Sequence, residues 1–312
     1  MKSFLFRFII FIVFTCFSYV IFLAFVGRYA PVAFRKNLKY EKGGYGFTYS
    51  RLTDVEKVED IDILFLGSSH AYRGFDTRLF FKEGYTAFNL GSSAQTPLQT
   101  EFLLKTHLNR LNPKIIVYDV YPKIMMNNGI ESSLDILSNT QSINLHAAKM
   151  AIQVNNMKVY NYLVYSIIEK ALFKAKKIKD KGSSNDIYVV KQGYVERKLS
   201  YNNKFDFKPN TWQLPDKQLK SFQRILDIIN NRNTKLLLVQ TPITKSSYNS
   251  VTNTEEIDTY FNKAGKYINF NNKIKLNDTL DFYDSSHLNQ NGVNKFNDTL
   301  VKIIDNILKF EK

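Results

Sequence analysis

The chain has 312 residues, 44% hydrophobic and 23% charged, with 13 glycines, 7 prolines and one cysteine. These proportions exclude a collagen-like, wholly disordered or disulfide-stapled chain. Forty-three Lys and Arg against 28 Asp and Glu give a formal charge of +15. That excess favours anionic partners or an anionic membrane surface. No zinc-finger spacing accompanies it, so it predicts a solvated basic face and no nucleic-acid partner.

The run Phe8–Val26 carries no charge. As a helix rising about 1.5 Å per residue it spans about 28 Å, close to one hydrocarbon core. It is longer than the apolar stretch of a signal peptide and no small-residue cleavage site follows, so it predicts an uncleaved transmembrane anchor over residues 1–27. Cys16 within it follows Thr15 rather than a small residue, and a buried, inert thiol is expected. Lys2 and Arg7 precede the span, whereas Arg28, Arg35, Lys36, Lys39 and Lys42 follow it. Counted literally, that asymmetry leans towards a cytoplasmic domain, although long domains are exported regardless of nearby charge.

Residues 28–58 have no sustained period and contain Gly43-Gly44-Tyr45-Gly46, the signature of a juxtamembrane connector. From 59 to 312 the pattern is that of one α/β domain. Ile61–Leu66 is a short apolar strand ending in Gly67-Ser68-Ser69-His70, and Thr86–Leu90 a second ending in Gly91-Ser92-Ser93. Thr96 as N-cap and Pro97 at the first helical position open a helix that stops before Asn112-Pro113. A third strand follows at Lys114–Val120. The alternation resumes with a helix from Asp216, a strand at Lys235–Gln240, a helix with Asn253 and Glu256 as a capping box, and a last helix from about Asn289. Strands alternating with helices predict a three-layer sandwich with a central parallel sheet, flavodoxin-like in plan. An insertion at about 123–214 interrupts it, with one long helix expected from Leu145 to Lys174, a basic stretch at Lys174–Lys181, and a cap near the active edge.

In open parallel sheets ligands bind outside the carboxyl ends of the strands. The turn after the first strand carries Gly67-Ser68-Ser69, whose small residues let a hydroxyl stand exposed there. A serine needs a neighbouring base, usually a histidine held by a carboxylate. Of the four histidines, His107 lies in an amphipathic helix and His146 in the insertion, so both read as structural. His287 stands three residues after Asp284, just before the last helix, so one loop can present both. His70, adjacent to Ser69, points elsewhere and suits a substrate-lining or capping role. No second cluster of His, Cys, Asp or Glu supplies a metal set, and no phosphate-binding glycine motif is present; no cofactor is expected.

An apolar strand ending Gly-x-Ser near the start and Asp-x-x-His near the end resembles the SGNH/GDSL hydrolase superfamily, over about residues 60–122 and 235–310. The resemblance implies Ser69 as nucleophile, His287 as general base, Asp284 as its orienting partner, and the N–H groups of Ser69 and Gly91 as an oxyanion hole. Two departures stand out. Ser68 replaces the aspartate that precedes the serine, and Asp119-Val120-Tyr121-Pro122 stands where a Gly-x-Asn-Asp block would supply another oxyanion donor. The chain is closer to membrane-anchored envelope branches with a Gly-Ser-Ser motif, including proteins of teichoic-acid D-alanylation and polysaccharide O-acetylation. These imply a serine esterase or O-acyltransferase acting on acyl groups of an envelope glycan. They also imply an acyl donor or acylated glycan, and a multi-pass membrane acyltransferase, as partners. The domain would then lie on the extracytoplasmic side of the cytoplasmic membrane. The alternative is a non-catalytic anchored glycan-binding or scaffold module.

Overall fold

The protein is described from a computed structural model covering residues 1–38, 40–173, 178–203 and 206–310. In chain order its strands are β1 (Ile63–Leu66), β2 (Ala87–Asn89), β3 (Ile115–Asp119), β4 (Asp186–Tyr188), β5 (Val195–Arg197), β6 (Lys235–Gln240) and β7 (Tyr267–Asn269). Five of them form one parallel sheet in the order β2-β1-β3-β6-β7. The apolar runs are continuous because both faces are covered. Leu64, Leu66, Ile116, Tyr118 and Leu238 pack under the helices Pro97–Leu111, Asp216–Asn230 and Thr254–Ala264. Ile63, Phe65, Ile115, Val117, Leu237 and Val239 pack on the other side with Phe75, Phe80 and the stripe Val293, Phe296, Leu300, Ile304 of the helix Gln290–Phe310. The fold is thus α/β with three layers. Because β2 and β3 flank β1 on opposite sides, a crevice opens at the carboxyl ends of β1 and β3.

Several local expectations change. The long helix expected from Leu145 to Lys174 is two, Leu145–Val154 and Met157–Leu172. Asn155 ends the first in the left-handed conformation at φ 50°, and Asn156 caps the second by accepting from the Lys158 N–H; tandem asparagines satisfy both termini. Of the basic stretch, residues 174–177 lie outside the described residues. Asn253 starts its helix without a side-chain cap, because both ends of its amide pair with the backbone of Trp212. Within the connector Leu38, Leu52 and Val55 enter the core, and fully buried Arg51 lies over the Tyr72 ring. The antiparallel pair β4–β5 guards the outer edge of β2, where the Gln192 carbonyl accepts from the Asn89 N–H at 2.9 Å.

At the N-terminus the helix Lys2–Tyr29 is long and apolar enough to cross a membrane. Residues 1–19 are exposed throughout, Cys16 included.

Candidate active site

Three turns at the carboxyl edge of the sheet build the site. After β1 the chain reverses at Gly67, whose φ is +138°. A Cβ there would sit 2.9 Å from the Asp119 Cβ, so only glycine fits. Ser68 then caps the short helix Ser69–Gly74, its Oγ accepting from the His70 N–H. Ser69 therefore occupies the first helical position, with no intrahelical acceptor for its own N–H. After β2, Gly91 packs so close that a Cβ would lie 2.9 Å from the Ser68 carbonyl oxygen.

The third turn precedes the last helix. Its stem is tied by the Tyr283 N–H to the His287 carbonyl and the Asn289 N–H to the Asp281 carbonyl. At its tip Asp284 Oδ1 accepts from the backbone N–H groups of Ser286 and His287, both at 2.8 Å. The same carboxylate receives His287 Nδ1 at 3.0 and 2.9 Å. With Nδ1 as the donor, Nε2 is left as an acceptor, and it meets Ser69 Oγ at 2.8 Å. Ser69, His287 and Asp284 are thus joined in one hydrogen-bonded line across 218 residues of sequence.

Burial alone would raise the Asp284 carboxyl, but its hydrogen bonds from His287 and the two backbone N–H groups outweigh that and hold it well below the usual carboxylate range. The His287 ring is held by two stacked neighbours. His70 stacks on it at 4.6 Å and Tyr283 at 5.3 Å, with interplanar angles of 14° and 8°. Arg197 in turn covers Tyr283 at 4.6 Å. Sequence periodicity gives no signal for this stack, because its members come from three separate turns or strands.

His70 does not line the crevice or cap a helix as expected. It is 3% exposed, wedged between His287 and Tyr121, with Nδ1 3.4 Å from Ser68 Oγ. Burial, then the proximity of His287, pushes its pKa well below the ordinary value, so it is neutral near pH 7. His107 is also buried, and burial pushes it down to about 4. Gly91 lies beside Ser68, but its N–H donates to Asn89 Oδ1 at 3.2 Å and must leave that partner to meet an oxyanion. At the corner where an asparagine would stand, Asp119 turns inward and Oδ1 accepts from the Thr241 N–H and hydroxyl at 3.0 and 2.8 Å. Among the described residues no group of three or more His, Cys, Asp or Glu is placed to hold a metal ion.

No family model and no curated protein matches the chain. Among solved structures it is similar to a Bacteroides fragilis protein assigned as an acylhydrolase, at 11% identity and a TM-score of 0.41, over 83% of this chain and 95% of that one. It is also similar to a GDSL-like lipase of Bacteroides thetaiotaomicron, at 10% identity and a TM-score of 0.43, over 83% of this chain and 98% of that one.

Proposed function

We propose that the chain is a membrane-anchored serine esterase or O-acyltransferase of SGNH/GDSL type, acting on acyl groups of a cell-envelope polysaccharide. The observation that carries this reading is the line Ser69 Oγ–His287 Nε2, His287 Nδ1–Asp284, set at the carboxyl edge of a parallel sheet. Ser69 Oγ attacks the ester carbonyl while its proton passes to His287 Nε2, and Asp284 steadies the imidazolium through Nδ1–H. The Ser69 N–H and a released Gly91 N–H receive the oxyanion. Collapse expels the alcohol, which takes the proton from His287 and leaves an acyl-Ser69. Water completes hydrolysis, or a sugar hydroxyl completes transfer, with His287 again as base. The helix Lys2–Tyr29 holds the domain on the extracytoplasmic face of the cytoplasmic membrane, beside a multi-pass acyltransferase. Protease digestion of intact spheroplasts tests the side: a fully protected domain reverses it.

The decisive measurement is fluorophosphonate labelling. Wild type is expected to label at Ser69, and Ser69→Ala to lose all labelling with the fold unchanged. His287→Ala is expected to lose about 10⁴-fold or more in labelling rate. The occupied Gly91 N–H favours a second reading, an anchored glycan-binding or scaffold module. That reading holds if wild type neither labels nor forms an acyl-enzyme and the variants still support glycan acylation in cells.

A further inference from the structure

The apolar N-terminal helix does not stand clear of the domain. From Val20 onward one side of it is covered, with Leu23 and Gly27 buried. The cover is the helix Met157–Leu172. Tyr19 Oη donates to Asn161 Oδ1 at 2.9 Å, Tyr165 Oη donates to the Gly27 carbonyl at 3.2 Å, and Arg28 lies over the Phe173 ring at 4.4 Å. Both members of these pairs advance together in sequence, so the two helices run in the same direction.

That parallel course sets a depth. Met157 lies four residues before Asn161, about 6 Å nearer the N-terminus of the anchor than Tyr19 is. From Arg7 to Tyr19 the anchor rises about 18 Å, and from Lys2 about 25 Å. The level of Met157 is therefore about 12 Å from Arg7 and about 20 Å from Lys2, whereas a hydrocarbon layer is about 30 Å thick. The layer does not fit between the charged start of the anchor and the domain.

We infer that the tip of the helical hairpin 145–172 enters the membrane beside the anchor, as a second contact with the acyl and headgroup layer of the same leaflet. This rests on the anchor reading above. The chemistry of the tip suits that occupant. Ile152 and Met157 are 65% and 66% exposed. Lys149 and Lys158 flank them, both exposed, and no Asp or Glu occurs between Asp135 and Glu169. Apolar side chains with adjacent cations and no acids form an interfacial surface for anionic lipids. Lysine stems reach back to the headgroups while the apolar side chains stay below. The hairpin also leans on the helix Pro97–Leu111 through Ala147, Met150 and Ala151, so the membrane contact is tied rigidly to the sheet that carries the crevice.

The test uses the full chain in phosphatidylethanolamine–phosphatidylglycerol vesicles, with Cys16→Ser as background. Nitroxide labels are placed one at a time through Phe14→Cys, Ile152→Cys, Met157→Cys and Lys263→Cys, all at exposed positions where substitution leaves packing intact. Labels at 14, 152 and 157 are expected to relax with oxygen and resist a water-soluble nickel chelate, and the label at 263 to do the reverse. If 152 and 157 behave like 263 while 14 stays in lipid, the hairpin contact is wrong and the anchor stands. If 14 is also reached by nickel, the anchor reading fails and takes the hairpin contact with it.

Discussion

Two aspartates at the same edge of the sheet have opposite fates. Asp284 sits on a tied loop, its side chain 43% exposed, and receives two backbone N–H groups and an imidazole. Asp119 ends β3 wholly buried, with Oδ2 unpartnered among the described residues. Burial raises its carboxyl to about 7, and the two Thr241 hydrogen bonds only partly oppose that. A carboxylate can steady a developing imidazolium only if it is charged beforehand, and the charge is kept by donors aimed at it. Nearness to the crevice is therefore not enough: Asp119 stands one turn from Ser68 and takes no part in the line that ends on Ser69.

The strongest way to break this contrast is to remove each charge in turn. Asp284→Asn is expected to lower the labelling or deacylation rate by about 10⁴-fold, because an amide favours the wrong imidazole tautomer. Asp119→Asn keeps the acceptor for Thr241 and is expected to stay within about threefold of wild type, far below the tautomer effect. Equal losses in the two variants would end the distinction. Stopped-flow labelling measures both.

Next in size is Gly91→Ala. Its Cβ would meet the Ser68 and Gly67 carbonyl oxygens at 2.9 and 3.0 Å, pushing apart the turns that carry Ser69 and the Gly91 N–H. A misplacement of about 1 Å is expected to cost about 10²-fold in turnover. Unchanged rates would mean that Gly91 is only a packing residue.

Tyr283→Leu sharpens the comparison from the side of the loop, by removing one of the two rings stacked on His287. Stacking of this kind is worth about 0.5–1.5 kcal/mol, so a loss of about 2- to 10-fold is expected in kcat with KM for a small ester unchanged. A rate equal to wild type would show that the Tyr283 stack does not help to hold the ring.

The smallest effect concerns stability. Asp119 binds its proton more tightly folded than unfolded, so between about pH 4 and 7 the folded state holds more protons and stability falls as pH rises. Asp119→Asn is expected to flatten that slope and raise Tm by a few degrees at pH 8 relative to wild type. The flattening is partial, because burial raises Asp135 to about 7 as well. Thermal melts across this range check it, and a steeper slope in the variant would contradict the buried charge.

Much of the frame was legible in the residues. β6 falls at Lys235–Gln240 as its apolar run predicts, and Thr96 with Pro97 opens its helix, where Gln99 closes a capping box. Period and capping are local properties, carried by a few neighbouring side chains. Strands such as Tyr267–Asn269 and Asp186–Tyr188 were not legible, because three-residue strands have no period of their own and form only against an existing edge.

The same division applies to the site. The residues by themselves pointed to the Ser68-Ser69 turn and to Asp284 with His287, because hydroxyl, carboxylate and imidazole in turns near strand ends are chemically distinctive, and the family resemblance singled out Ser69 between the two serines. The meeting of Ser69 with His287 at 2.8 Å, the inward turn of Asp119, the stack of His70 and Tyr283 on His287, and the seating of the apolar helix on Asn161 and Tyr165 were decided only by tertiary packing. Each joins segments remote in the chain, and what fixes it is which groups are desolvated together and which donors are left to face them.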